Sequence, residues 1–248
     1  MQRVELLAVP GLPMIKAGDD LGRLIGERLT GELKLLAGDV LVLAQKIVSK
    51  AEGRLVEIAT VKPSQRAIDL AAEVQKDPRL VELILSESVR VVRSRPNVLI
   101  VEHRLGFVMA NAGIDQSNVA PQDGVERALL LPKDPDGSAE ALRAKLGATA
   151  LLIIDSFGRP WRKGTTGVAI GAAGLPSLID MRGQPDMFGR ILQVTISAFA
   201  DEIAAAASLV MGQGAEAQPV VIVRGLTWQA PNAPAAELIR AAAEDLFR

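Results

Sequence analysis

Three short, almost unbroken aliphatic runs constrain this chain more than any other feature. They lie in VLVLAQKIVS (40–49), ATALLIID (148–155) and PVVIVRG (219–225). Runs of this length, rich in Val and Ile and bounded by turn residues, read as buried strands. VELLAV (4–9) is a fourth strand, stopped by Pro10-Gly11. Stretches with helical spacing lie between. Asp19 and Asp20 lead into LGRLIGERLTG, where Leu21, Leu24, Ile25 and Leu29 share a face. SQRAIDLAAEVQ (64–75) and PRLVELILSES (78–88) are amphipathic helices, followed by strands around RVVRS (90–94), NVLIVEHR (97–104) and FVMAN (107–111). A turn, Asp134-Pro135-Asp136-Gly137, precedes the helix SAEALRAKLG, capped by Ser138. GRPWRKGTTG (158–167) reads as a polar loop and ILQVTISA (191–198) as a strand. DEIAAAASLVMG (201–212) reads as a core-packing helix and PAAELIRAAAEDLF as a closing one. Helices and strands alternate, which predicts an α/β or α+β class. No fixed-period repeat and no Gly/Ser or Pro linker divides residues 1–248, so one intertwined domain is expected.

Composition removes several kinds of chemistry. The chain has no cysteine and one histidine, His103. Disulfides, thiolate nucleophiles, Cys-ligated zinc and His-cluster metal sites are therefore excluded. A metal would have to be held by oxygens, which means Mg²⁺ or Mn²⁺ and suggests phosphate chemistry. The net charge of −1 argues against a nucleic-acid partner, which needs a basic face. No apolar run reaches the ~18 residues that span a bilayer, and the start shows no signal-peptide pattern. A soluble cytoplasmic protein without membrane contact is expected.

Polar residues gather where apolar strands end, the places where a rigid sheet can position functional groups. Lys46, Lys50 and Arg54 form a positive patch after VLVLA, either a phosphate cradle or a solvated strand end; Lys46 and Lys50 share a face only if the stretch turns helical. NAGIDQSN (111–118) brings Asp115 into a polar turn after FVMA. Asp155 comes straight off ALLII, and an unpaired buried carboxylate is costly, so it must be hydrogen-bonded, paired with a group such as Arg159, or bound to metal. Met211-Gly212-Gln213-Gly214 follows the Ala-rich helix; its glycines can form a left-handed cap or admit a phosphate. His103 reads as an ordinary, partly buried histidine. Trp161 either stacks on a planar ligand or covers the core. No Walker A pattern is present.

Eight segments then form a set: GLPMIKAGDDL, GDVLVLAQKIVSKAEGR, NAGIDQSNV, LLLPKDPDGSAEALR, IDSFGRPWRKGTTGVAIGAAGL, RGQPDMFGR, ADEIAAAASLVMGQG and VVIVRG. In this order, from about residue 3 to 226, they resemble the coenzyme F420-0:gamma-glutamyl ligase family. The resemblance implies an α+β fold particular to that family, neither P-loop nor ATP-grasp. It implies a GTP-dependent amide ligase that joins L-glutamate to the lactyl carboxylate of the deazaflavin precursor, then adds a second, gamma-linked glutamate. It further implies Mg²⁺ or Mn²⁺ (two ions), K⁺ and a homodimer. Asp115 and Asp155 resemble ligands of one divalent ion, Ser156 and Gln213 ligands of a second. Nucleotide contacts would come from Leu12, Pro13, Met14, Ile15, Gln45, Lys46, Lys50 and Asn118, and from Met211, Gly212, Gln213, Gly214, Ala215, Glu216, Ala217 and Gln218. Phosphorylation by GTP would give an acyl phosphate, with Lys46, Lys50 or Arg159 stabilising the equatorial oxygens. The loop KGTTG (163–167) is placed to touch the acceptor. The alternatives are the same chemistry on a different carboxylated acceptor, and a non-catalytic nucleotide-binding homologue.

Overall fold

A computed structural model describes residues 3–117 and 124–245. In chain order the elements are β1 (Glu5–Ala8), α1 (Leu21–Gly26), β2 (Val40–Ala44), α2 (Gln45–Ala51), β3 (Leu55–Glu57), α3 (Gln65–Val74) and α4 (Pro78–Ser86). There follow β4 (Ser88–Arg95), β5 (Val98–His103), β6 (Val108–Ala110), β7 (Arg127–Leu129) and α5 (Pro135–Leu146). The chain continues with β8 (Ala150–Arg159), β9 (Arg162–Ala173), β10 (Ile179–Asp180), β11 (Ile196–Ser197), α6 (Phe199–Met211) and β12 (Val220–Arg224).

The aliphatic runs form the middle of a five-stranded sheet, in the order β1-β12-β2-β8-β9. Only β2 and β8 run parallel in it. Both faces are covered, which is why these strands do not alternate apolar with polar. Leu41, Leu43, Leu151 and Ile153 pack with Ile25, Ile47, Val48 and Ala139 on one face. Val42, Leu152, Ile154 and Val221 pack on the other, against the α6 residues Ile203, Ala204 and Ala207. A second body of structure lays α3 and α4 on the sheet β4-β5-β6, where Ala71, Val81, Ile84, Leu99 and Val101 form its core.

Small residues set the close approaches. A Cβ on Gly167 would lie 2.4 Å from the Ala204 carbonyl oxygen of α6, and one on Gly171 would lie 2.3 Å from that of Pro135. Asp136 sits at the second approach. Its carboxylate accepts from the backbone N–H of Ala172 (2.8 Å), Ala235 (2.7 Å) and Ala236 (3.2 Å), fastening α5 to β9 and to the C-terminal segment.

Several sequence expectations change. The strand expected over 40–49 ends at Ala44, and the chain turns helical at Gln45. α5 begins at Pro135, with Asp134 rather than Ser138 as its cap; the Asp134 carboxylate accepts from Gly137 N–H at 3.0 Å, and Ser138 Oγ instead donates to Glu52. Residues 158–167 are the outer part of a β-hairpin, not a loop. Of the expected strand 191–198, Ile196–Ser197 pairs with β10 in a two-stranded sheet and Ile191 makes a lone bridge to Pro185; the residues between are not strand. As far as it is described, the closing segment forms two short 3-10 turns, Ala235–Leu238 and Ala242–Glu244, in place of a helix; Ala235, Leu238 and Ile239 pack on the core, and helical propensity alone does not hold a segment this short in a helix.

His103 is fully buried. Its Nδ1 accepts from Leu105 N–H at 3.0 Å, and its Nε2 faces Glu87 at 3.5 Å. Burial works to raise the Glu87 carboxyl, but His103, Arg54 and Arg104 together hold it at about 2. Among the described residues no helix is long and apolar enough to cross a membrane.

Candidate active site

The cavity begins where β2 stops. At Ala44 the backbone leaves the sheet and winds into α2, which puts Lys46 and Lys50 one turn apart on one face. Ile47 and Val48 anchor the helix in the core. Both lysines line a cavity of about 1360 Å³ between the central sheet and the β4-β5-β6 sheet. Burial, and secondarily the charge of Lys46, lowers the Lys50 ammonium below its ordinary value.

Asp115 faces this helix. Its backbone is pinned to Leu129 by a reciprocal pair of hydrogen bonds (3.0 and 2.8 Å). The chain reaches that point through Asn111, Ala112 and Gly113, all at positive φ (53°, 53° and 67°). Two consecutive non-glycine residues in this region cost roughly 1–2 kcal/mol each, and such strain clusters at functional sites. Gly113 is obligatory here for a second reason, since its Cβ would lie 2.8 Å from Met109 Cε and 2.9 Å from Leu131 Cγ. Gly113→Ala is therefore expected to destabilise the fold by about 1–3 kcal/mol and to displace Asp115, read as a lowered denaturation midpoint together with lost turnover. A midpoint within error of wild type would show that the turn is not constrained in this way.

The Asp115 carboxylate receives Lys46 Nζ at 2.6 Å, Ser117 N–H at 2.6 Å and the Ser117 hydroxyl at 3.0 Å. Lys46 also donates to Ser117 Oγ at 2.7 Å. Burial opposes ionisation of Asp115, but these donors outweigh it and hold the carboxyl below its usual range. Asp155 is the first polar residue of β8 beyond Ile154 and is held by its pairing with Val168 of β9. Burial first, then the charge of Asp115, pushes its carboxyl up to about 6. Gln45, 1% exposed, lies beside it; its Oε1 accepts from Ser49, and its buried Nε2 makes no full hydrogen bond. Two carboxylates that disfavour one another in a half-buried place form a site that a cation relieves.

The far wall comes from the end of α6. Gly212 has φ 72° and ψ −177°, which is a glycine-only conformation and not the left-handed cap expected. The loop beyond folds on itself through Glu216, which accepts from Gly214 N–H at 2.8 Å. Ser156 Oγ donates to Gln213 Oε1 at 2.9 Å and ties β8 to this loop.

Nearly every position singled out in the sequence meets here. Leu12 to Ile15, Gln45, Lys46, Lys50, Asp115, Asp155, Ser156, Arg159 and all of Met211 to Gln218 line the same cavity. Asn118 lies outside the described residues. Gly164 and Thr165 of KGTTG also line the cavity, whereas sequence reasoning missed Ser117, Arg162 and Ser208, and the apolar wall of Ile100, Val108 and Met109. Of these only Ser117 carried a signal, as a neighbour of Asp115 within NAGIDQSN. Trp161 is 88% exposed, so it does not cover the core.

The donors suit one kind of ion. Among the described residues no three His, Cys, Asp or Glu side chains gather as a ready-made metal site. Two carboxylates, a hydroxyl and an amide oxygen are hard donors that fit Mg²⁺ or Mn²⁺ when ligand phosphates and water complete the shell.

A family model described as F420-0:gamma-glutamyl ligase matches residues 11–225, a span containing every segment of the cavity. The chain belongs to the F420-0:gamma-glutamyl ligase family. Its mixed α/β architecture is consistent with that family's fold. It is 50% identical over 231 residues to the coenzyme F420:L-glutamate ligase of Methanothermobacter thermautotrophicus, covering 91% of this chain and 90% of that one. It is 44% identical over 250 residues to the coenzyme F420:L-glutamate ligase of Methanopyrus kandleri, covering 97% and 96%. The corresponding enzyme of Methanocaldococcus jannaschii is 39% identical over 252 residues, covering 100% and 98%. Membership of the family places the chain among the ligases, enzymes of F420 biosynthesis.

Proposed function

We propose that this ligase uses GTP to join L-glutamate to the lactyl carboxylate of coenzyme F420-0, and then joins the amine of a second glutamate to the gamma-carboxylate of the first. The observation that carries the reading is one cavity in which two lysines face two carboxylates. At about 1360 Å³ it exceeds the usual 300–1,000 Å³ ligand pocket, room for a nucleotide and an acceptor together.

A carboxylate is a poor acyl donor and must first be activated. The acceptor carboxylate oxygen attacks the γ-phosphorus of GTP, the bond to the β–γ bridging oxygen breaks, and GDP leaves. The glutamate amine then attacks the acyl phosphate carbon. The tetrahedral intermediate expels phosphate, and the amine proton passes to phosphate or water. Lys46, Lys50 and Arg159 are the cations available to the equatorial phosphate oxygens. Asp115 holds Lys46 in place. Asp115 and Asp155 would hold one divalent ion, Ser156 and Gln213 a second, and K⁺ would assist; bound, such ions neutralise phosphate charge. The nucleotide would lie along Leu12 to Ile15, Gln45 and the loop Met211 to Gln218, with Asn118 as a further contact. The working form in this reading is a cytoplasmic homodimer.

The deciding assay incubates the protein with GTP, Mn²⁺, L-glutamate and the lactyl precursor, and weighs the products. One or two added glutamates with stoichiometric GDP are expected. Glutamate-dependent GDP release with another carboxylate only would reassign the acceptor. No such release with any acceptor would remove the ligase reading.

A further inference from the structure

The hairpin of β8 and β9 continues past the sheet and stands clear of the rest of the chain. A Cβ on Gly158 or Gly164 would meet nothing within 4 Å. Arg159 and Arg162 are partners across its end, so Pro160 and Trp161 make the two-residue turn. Trp161 occupies it at φ 64°, a conformation rare for a bulky side chain. The tip is strongly basic: Arg159, Arg162 and Lys163 lie within five positions, and no Asp or Glu occurs between Asp155 and Asp180. Some arginines elsewhere on the surface are paired, Arg143 with Glu140 at 2.7 Å and Arg182 with Asp180 at 2.6 Å. Arg162 and Lys163 have no such partner among the described residues. Arg162 and Thr165 line the cavity, alongside Arg159.

We propose that Arg162, with Thr165 beside it on β9, binds an oxyanion of the acidic substrate that is not the nucleotide. This rests on the ligase reading above, which requires two such substrates, and it adds the residues that receive one of them. The ligand chemistry is a carboxylate or phosphodiester, for which a guanidinium is the best-matched side chain. Anchoring the hairpin in the central sheet fixes its base, while the unpacked tip leaves the guanidinium free for ligand. The half-buried Lys46 and Lys50 remain for the nucleotide phosphates.

The test uses the full chain carrying Arg162→Glu, Arg162→Lys and Thr165→Val. KM is measured separately for glutamate and for acceptor, with equilibrium binding of each substrate and of a non-hydrolysable GTP analogue. Arg162→Glu is expected to weaken one acidic substrate at least about tenfold. Arg162→Lys should recover part of that loss, and Thr165→Val should weaken the same substrate about threefold. Analogue affinity, oligomeric state and kcat should stay within about threefold of wild type. A rise confined to glutamate identifies its carboxylates as the ligand; a rise confined to the acceptor identifies the acceptor's anion. Unchanged affinity for both overturns the proposal, as does an equal loss of analogue binding or a change of oligomeric state. If the wild type forms no product, the ligase reading fails, and the binding measurements with Arg162→Glu still decide this one.

Discussion

Replacing Asp155 by asparagine is expected to lower glutamate ligation by at least about a thousandfold and, at the same time, to stabilise the metal-free protein above pH 6. The second effect follows from linkage. Asp155 titrates near 6 in the folded chain, well above an ordinary carboxylate, because burial and Asp115 oppose its charge. Between the unfolded and folded values the native state binds the extra proton, so stability is present at low pH and is lost as pH rises toward 6. Asparagine removes that penalty, a gain of up to about 3 kcal/mol at pH 7–8 that vanishes near pH 4. Urea denaturation of both proteins at pH 4.5 and 8, in chelator, reads the difference. Asp115→Asn should abolish turnover too, but without the stability gain, because the Asp115 carboxylate is held by Lys46 and Ser117 and lies below its usual range. Near-wild-type rates in either variant would sink the metal assignment. A stability difference between Asp155→Asn and wild type that is the same at both pH values would sink the electrostatic account of it.

The second large effect lies away from the cavity. Asp39→Ala should cost about 3–5 kcal/mol and lower Tm by about 8–15 °C, with KM values unaltered in the protein that remains folded. Asp39 is 2% exposed at the start of β2. Its carboxylate accepts from Arg224 Nη2 at 2.7 Å, Arg224 Nε at 3.0 Å and Leu36 N–H at 2.8 Å. Arg224 also donates to the carbonyl of Lys34 at 2.9 Å. One ion pair thus fastens the 31–39 connection to the end of β12. Removing the acid leaves a guanidinium without its counter-charge and the Leu36 N–H without its acceptor, which is why truncation costs more than an exposed pair would. A loss under 1 kcal/mol in calorimetry would show that the pair is solvated in practice.

The aliphatic runs were legible because a sheet covered on both faces has to be apolar at every position. The amphipathic helices α3 and α4 were legible because each has one buried face, and Ser64 and Asp77 cap them as their residue types suggest. Asp115 and Asp155 stood out because carboxylates beside apolar strands need a reason. The hairpin at 158–167 was hidden by Gly158, Pro160, Gly164 and Gly167, which resemble loop punctuation. In the structure Gly167 is required by the packing of α6, and Pro160 lies in the two-residue turn. The closing helix was overestimated because alanine-rich propensity alone does not hold a short segment helical.

By itself the sequence determined the chemistry available: oxygen ligands without thiols, basic side chains after β2, carboxylates near strand ends, and motifs specific enough to indicate a family. Those properties belong to residue types and their order. Which of these residues meet was decided only by the tertiary structure. Asp115 and Lys46 are 69 positions apart, yet their side chains touch at 2.6 Å, because α2 winds directly off β2 and a left-handed turn aims Asp115 back at it. The raised carboxyl of Asp155 is likewise a property of burial and of a neighbouring charge, neither of which exists until the chain has folded.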